Sequence, residues 1–525
     1  MMTRSIDGGE WEREKERAHL FSHRKISPPP LLQPLTGVAT TFNGNDQQAL
    51  DAAAQGVAVA DRSHCRRLRV SGRGRLAFLH GQATNDFGGS GVVEFGGSGV
   101  GPPAPGDVLP NVAFALPDGR VRDFGTAFVT ADGVLLQASP WSGGRDGEQE
   151  EEEDAAARRG GGEGGPAAGK RDPSDLLAAL DGCVFPGDEV SIADVTAETA
   201  SFALLGPGAA SALAALGALD AGALPKGKMM LLGGGGGGGG GGSGGSLNGG
   251  GGVGGASRSP VVVARGGGLS EAGDGFTLIL DRAAAPDLWR ALVAVGGAVP
   301  MGDGAWERAR VLAGRPAVGT ELGAGVPATA LEAGLCGAVS IEKGCYVGQE
   351  ALAKAAGVGR LKQQLWGLRL ADSGVDDVEG GAEGALAVGA TIWPASPPPP
   401  PSGGGGEASS SSRGAPAGRV TSVAADADNN PFALAYVSST GRAGAEKLSE
   451  GLEVVVELKG KRARAALVDL PFASRELPER AAGAVPKEEE EKPSVAPNDK
   501  GGREARLAAM KARLEAYQRG EAAPE

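Results

Sequence analysis

Apolar and polar positions change period repeatedly along the chain. Cys65 to Val70 reads as a strand and leads into an apolar helical pattern over Gly74 to Gln82. Val112 to Leu116 and Val121 to Thr130 flank Pro117-Asp118-Gly119, so they predict a hairpin around a tight turn. Asp172-Pro173 is expected to open a short helix that stops at Gly182. Ser201 to Leu205 reads as a buried strand, and a helix over Ala209 to Leu216 follows Gly206-Pro207-Gly208. Phe276 to Leu280 is another strand. Ala285-Pro286 then starts a helix with Leu288, Trp289, Leu292 and Val295 on its apolar side. Such alternation predicts α+β packing.

The pattern shortens after Gly359. Leu361 to Leu370, Ala390 to Trp393, Arg419 to Val423, Phe432 to Val437, Leu452 to Leu458 and Arg464 to Leu467 are brief and strand-like. Together they predict a small antiparallel barrel or sandwich. The tail beyond Arg475 is charged. From Gly502 onward Leu507, Met510, Leu514 and Tyr517 recur at helical spacing, with Lys511–Glu515 and Glu515–Arg519 as supporting pairs.

Composition explains the gaps between these elements. Of 525 residues, 92 are Gly and 34 are Pro, while aromatic residues make up 4%. The excess is concentrated in three blocks: Trp141 to Lys170, with an acidic run from Glu148 to Asp154; the glycine tract Gly233 to Gly255; and Ala395 to Ala417. None has enough apolar surface to offset the entropy of ordering its backbone, so all three read as surface insertions or linkers. A formal net charge of -13 argues against a nucleic-acid surface. The four cysteines, Cys65, Cys183, Cys336 and Cys345, are scattered and form no C-x-x-C, which points to a reducing compartment. No apolar run is long enough to span a bilayer. The first 35 residues mix Arg4, Arg13, Arg17, Arg24 and Lys25 with Glu10, Glu12, Glu14 and Glu16, unlike an acid-poor transit peptide.

The sharpest chemical signal is Lys343-Gly344-Cys345-Tyr346-Val347-Gly348-Gln349-Glu350. Gly344 and Gly348 allow the backbone to turn tightly around Cys345, and a helix is expected to begin near Ala351. A thiol at a helix start, with Lys343 and Lys354 nearby, sits in surroundings that favour the reactive thiolate. Cys336, nine residues away in sequence, admits a redox or cluster-ligand pair with Cys345. Arg66, Arg67, Arg69, Arg73 and Arg75, and also Lys226 and Lys228, form basic groups suited to an anionic guest. His64 and His80 read as structural.

The K-G-C-Y-x-G-Q-E run resembles the signature of the YgfZ branch of the GcvT-like folate-binding family, relatives of the glycine-cleavage aminomethyltransferases. Asp61-Arg62-Ser63 through Gly81-Gln82-Ala83-Thr84-Asn85-Asp86, Leu205-Gly206-Pro207, Arg310 to Glu321, Gly418 to Ser422, Leu434 to Val437 and Pro471-Phe472 agree with it in order. The resemblance covers roughly Gln47 to Phe472, less the insertions. It implies an α+β cloverleaf of two ferredoxin-like-related subdomains and a C-terminal antiparallel β-barrel. The implied organisation is an arm or targeting segment over 1–45 and a folate-binding region over 46–358, interrupted at 141–170 and 233–255. The barrel follows over 359–472, interrupted at 395–417, and then a charged tail over 473–525 with a helix near 502–519.

The resemblance further implies tetrahydrofolate as cofactor, with or without a polyglutamate tail, and Cys345 as the reactive residue. Asp123, Glu271, Arg310, Lys343, Tyr346, Gln349 and Arg360 are the implied cofactor contacts, with no resident metal. Aminomethyltransferases carry two adjacent acids where this chain has Asp123 followed by Phe124, and an Arg where it has Trp306. The implied function is a folate-binding accessory factor in [4Fe–4S] cluster assembly or repair, in transient contact with clusters, assembly proteins and client enzymes. Aminomethyl transfer, or an interaction module that has lost folate, are the alternatives. A monomer with no nucleic-acid or membrane partner is expected. The resemblance to a plant plastid form implies the chloroplast, with the mitochondrial matrix as alternative.

Overall fold

In a computed structural model of the chain, the described residues are 39–88, 101–140, 175–185, 187–232, 260–266, 269, 275–323, 325–359, 361–370, 386–395, 416–426, 429–439, 448–458 and 461–478. The arm over 1–38 and the tail helix near 502–519 lie outside them.

The first sheet grows from strands buried on both faces. β1 (Ala58–Asp61) sits between β11 (Val299–Met301) and β7 (Thr199–Leu205), followed by β10 (Gly275–Asp281), β9 (Val261–Arg265) and β8 (Met229–Leu232). Only the β1–β11 pair is parallel. Side chains alternate across a strand. Phe202 and Leu204 pack with α4 (Ala209–Ala215) and α5 (Ala285–Ala294), while Ala203 and Leu205 pack toward α1 (Asp46–Gln55) and α6 (Asp303–Ala313). That double burial is why the sequence here reads as one apolar run. On α5, Leu292 is buried, whereas Val295 lies beyond the last helical residue and is 61% exposed. The expected apolar stripe therefore loses its last member, because the helix ends before Val295 can rotate inward.

The second sheet has the order β3 (Val108–Ala115), β4 (Val121–Val129), β5 (Gly133–Pro140), β2 (Cys65–Ser71), β6 (Ser191–Asp194), all antiparallel. Leu68, Val70, Phe114, Ala127 and Leu136 form its apolar face beneath α2 (Arg75–Gln82) and α3 (Leu176–Asp181). The α3 cap is Asp175, whose side chain accepts a hydrogen bond from the Ala178 N–H. The expected cap, Asp172, lies outside the described residues; three residues of propensity did not distinguish the two acids, and the carboxylate that reaches the third helical N–H is the one that caps.

The third unit is a closed six-stranded barrel, β12 (Gln363–Leu370), β15 (Pro431–Ser438), β14 (Gly418–Ala425), β13 (Thr391–Pro394), β16 (Glu453–Leu458) and β17 (Lys461–Val468). Its strands match the short apolar segments one for one. Trp366, Leu368, Ile392, Val420, Ala435, Val454 and Leu467 fill the interior. Val311 of α6 packs on the outside against Leu365, Phe432, Leu434 and Tyr436.

Two of the three low-complexity blocks fall between strands that pair. Leu232 faces Val261 in the β8–β9 hairpin, so the glycine tract joins two strands in register. Ile392 faces Gly418, so the Pro/Gly/Ser block joins β13 to β14. The acidic block joins β5 to α3. Insertions between paired strands leave the sheets intact, since loop-closure entropy grows only slowly with length.

Candidate functional site

The linker from α6 to the barrel carries the signature and packs it against the second sheet. Tyr346 and Leu352 join Ala113, Ala115, Val121, Phe124, Leu331, Leu335 and Phe472 in one apolar cluster. α7 (Gln349–Val358) begins on the last two residues of the signature. Its N-cap is Gly348 at φ +82, a left-handed conformation that costs glycine little. A Cβ at Gly348 would lie 2.5 Å from the Leu116 carbonyl oxygen, so the β3–β4 turn seats directly on this residue. Gln349 turns back and donates from Nε2 to the Lys343 carbonyl at 3.0 Å, closing the loop.

Lys343 is the other anchor. Its ammonium, 4% exposed as a residue, donates to the carbonyls of His80, Ala83 (2.6 Å) and Asn85 (2.7 Å). It also stands 4.5 Å from the centre of the Tyr346 ring. Burial pushes it down to about 7, with Asp86 opposing. The preceding chain is stitched to the same turn: Thr84 Oγ1 donates to Ala338 O at 2.6 Å, and Ser340 N donates to Thr84 O at 3.0 Å. Asn85 accepts from Ala113 N and donates to Asn111 O, tying in β3.

Within this loop Gly344 and Cys345 are exposed, while Lys343 and Tyr346 on either side are buried. The loop therefore presents its thiol to solvent between two buried side chains. Val347, two residues on, lines a cavity of about 270 Å³ together with Gln82, Phe114, Ala115, Arg122, Cys183 and the α3 residues Leu176, Ala178, Ala179 and Leu180. That volume lies just below the ~300–1,000 Å³ of small-molecule pockets and suits one ring system rather than a long conjugate.

The predicted cofactor contacts divide sharply. Asp123 is buried; its Oδ1 accepts from Ser139 Oγ (2.7 Å), Ser139 N and Phe124 N. Burial pushes its carboxyl up, against those hydrogen bonds and the charge of Arg66. Asp123 adjoins Arg122 in β4, but is not itself a cavity-lining residue. Tyr346 is buried, its phenol oxygen without a hydrogen-bond partner and its ionisation pushed well up by burial. Gln349 and Lys343 shape the loop, as described. Glu271 and Arg360 lie outside the described residues.

Arg310 corrects the sequence reading. Its guanidinium is buried and donates to both oxygens of Glu307, to Glu321, to Ser422 of the barrel and to the Arg315 carbonyl. Burial alone would raise Glu321, but Arg310, then Ser422 and Thr320, bring it below the ordinary carboxylate range. Arg310 is thus a joint between α6, the 315–321 loop and the barrel. An Arg near Glu and Gly in sequence cannot signal whether its fork meets a ligand or the protein's own carboxylates.

The basic cluster is corrected likewise. Arg67 is fully buried and spends its donors on Thr199 and on the carbonyls of Ser63, Cys65, Thr196 and Thr199. Arg66 pairs with Asp175 and Asp194, and Lys228 with Asp107. Arg66 and Arg67 are buried, whereas Arg69 and Arg73 of the same run are exposed. Cys336 is buried in the apolar cluster and pushed up to about 11 by burial, so it is not a partner exposed beside Cys345. His64 is held down at about 3 by burial and by Arg62 and Arg67, in line with a structural role. Among the described residues, no group of three or more His, Cys, Asp or Glu side chains gathers as a metal site, and no helix is long and apolar enough to cross a membrane.

Two sheets joined to a closed antiparallel barrel define a GcvT-like fold. The match to the glycine cleavage system aminomethyltransferase T of Bartonella henselae has a TM-score of 0.52 at 18% identity, covering 83% of this chain and 91% of that one. In sequence the chain is 30% identical over 334 residues to a chloroplastic protein of Arabidopsis thaliana named as a transferase (At1g60990), covering 64% of this chain and 61% of that protein. It is 36% identical over 206 residues to an aminomethyltransferase of Moorella thermoacetica, covering 38% and 46%. The chain thus spans less than two thirds of the length of these relatives. No protein-family model matches it.

Proposed function

We propose that this chain is a tetrahydrofolate-binding accessory factor in [4Fe–4S] cluster assembly or repair, acting in a plastid, with Cys345 as its reactive group. The observation that carries the reading is the exposed thiol on a loop whose other polar side chains, Lys343 and Gln349, are spent on holding its shape. A loop tied this firmly around one free sulfur suits a transient ligand or nucleophile better than a packing role. Folate is supported by the GcvT-like fold and by the aminomethyltransferase relatives. Of the implied contacts within the described residues, Asp123 and Tyr346 are buried and do not line the cavity, and Lys343, Gln349 and Arg310 are engaged within the protein. These residues therefore do not fit a folate as they stand, and no chemical step through it is derived. The plastid assignment follows the chloroplastic relative.

Titrating tetrahydrofolate into the purified chain should give saturable binding, and Cys345→Ala should bind it equally while failing to restore [4Fe–4S] enzyme activity in cells lacking the native protein. Full restoration by Cys345→Ala would refute the cluster role. The second reading, aminomethyl transfer, is favoured by the Moorella relative. It predicts that the wild-type chain releases ammonia from an aminomethyl donor in the presence of tetrahydrofolate.

A further inference from the structure

His80 lies in the last turn of α2 and faces Gly344 of the signature. Its Nδ1 lies 3.1 Å from Asp86 Oδ1, a close polar contact rather than a well-aligned hydrogen bond. Asp86 is buried and oriented by the Gly88 N–H, which donates to the same oxygen at 2.7 Å. A Cβ at Gly88 would lie 2.9 Å from His80 Cε1, so the chain passes flat under the imidazole. On the opposite edge, a Cβ at Gly344 would lie 3.5 Å from Nε2. The imidazole is thus held between two glycines. Nδ1 points to a carboxylate, and Nε2 points to the residue immediately before Cys345. Nε2 makes no hydrogen bond among the described residues, and the ring is 20% exposed. The backbone of His80 is itself clipped by Lys343, so the two segments cannot drift apart without breaking that contact. Gln82 and Val347, two residues beyond His80 and Cys345 respectively, both line the 270 Å³ cavity.

We propose that His80, oriented by Asp86, is the proton acceptor for the Cys345 thiol. Deprotonation breaks the S–H bond and forms N–H at Nε2. The electron pair stays on sulfur as thiolate, and Asp86 faces the positive charge that develops on the ring. The charged groups facing the imidazole are Asp86 and Lys343. Burial and Lys343 hold His80 below the ordinary histidine range, with Asp86 opposing, which keeps the ring neutral and Nε2 able to accept at neutral pH. The proposal deepens the reading of Cys345 as the reactive group and rests on it. It does not depend on folate or on a cluster, so each can fail separately.

The test is alkylation of the folded chain by iodoacetamide across pH 5.5 to 9.5, read as thioether at the Cys345 peptide by mass spectrometry. The sulfur displaces iodide, and the proton leaves through His80 to solvent. Wild type should show reactivity that begins to rise in the imidazole range. His80→Gln keeps a polar side chain but no base; it should slow alkylation near pH 7 by about tenfold and leave a simple thiol profile. Asp86→Asn should fall between the two. Superimposable profiles for wild type and His80→Gln, or a uniform slowing without change of shape, would overturn the proposal. Should His80→Gln fail to fold, the Asp86→Asn profile decides on the same criterion. Loss of tetrahydrofolate binding with unchanged alkylation would count against the folate reading alone.

Discussion

Replacing Lys343 by Met tests whether the signature is held by a buried cation. The wild-type ammonium is buried under Tyr346 and meets three carbonyls. Its acidity is displaced from an ordinary 10.5 to about 7, chiefly by burial. A lysine that protonates less readily when folded weakens the fold wherever the unfolded chain carries the extra proton. That penalty is complete below about pH 7 and fades as pH rises toward 10.5. At about 1.4 kcal/mol per pH unit, the full penalty is about 5 kcal/mol, and about 3 kcal/mol of it should be recovered between pH 7 and pH 9.5. Met has no proton to lose. At pH 7 the variant gains by shedding a buried charge and loses by orphaning carbonyls at ~1–3 kcal/mol each, so its absolute stability follows two opposed effects of similar size. The pH slope has no such ambiguity. Urea unfolding at pH 7, 8, 9 and 9.5 should show wild type gaining about 3 kcal/mol on Lys343→Met. Other titrating groups cancel in the difference. A difference that stays flat across this range would mean that the ammonium is not buried as described, and the clip between the His80–Asn85 turn and the signature would fall with it.

Three further outcomes follow from the same packing. Arg310→Met leaves Glu321 buried without its cation and should cost about 3–5 kcal/mol in urea unfolding at pH 7; the loss should shrink toward pH 5, because the orphaned carboxyl takes up a proton there, while tetrahydrofolate affinity of the folded protein should not change. Gly348→Ala places a methyl 2.5 Å from the Leu116 carbonyl at a left-handed φ; a cost of about 1–3 kcal/mol and faster proteolysis of the signature loop are expected. Replacing residues 233–260 by Asn-Gly joins Leu232 to Val261 by a two-residue turn; stability should hold or rise by up to about 2 kcal/mol, at ~0.6 kcal/mol per halving of the loop, and a lower thermal midpoint would show that the tract makes stabilising contacts.

The periodic parts of the fold were legible because burial writes them directly into the sequence. The barrel strands are short apolar segments, and β7 is buried along its whole length because it is covered on both faces. Boundaries were harder. Val295 continues a helical stripe in sequence yet lies past the end of α5, and Asp175 rather than Asp172 caps α3. Such choices turn on one hydrogen bond, which periodicity does not encode.

The site was legible in composition but not in direction. Side-chain type announces charge, and only the fold decides where the charge is spent. Arg67 read as a cation for an anionic guest and Arg310 and Lys343 as cofactor contacts, and all three are turned onto the protein's own oxygens. His80 read as structural because its carboxylate lies six residues on, across a helix end, and its other neighbour is the glycine at 344. A signature rich in polar residues suggests many groups aimed at a ligand, yet a tight turn leaves few orientations free. Here the glycines at 344 and 348, the Lys343 clip and the Gln349 return bond use up most of those orientations. What remains outward is Cys345, whose neighbour Gly344 faces the His80 imidazole edge. A loop whose polar side chains mostly serve its own geometry gains precision at one atom, and that is the arrangement a single reactive sulfur requires.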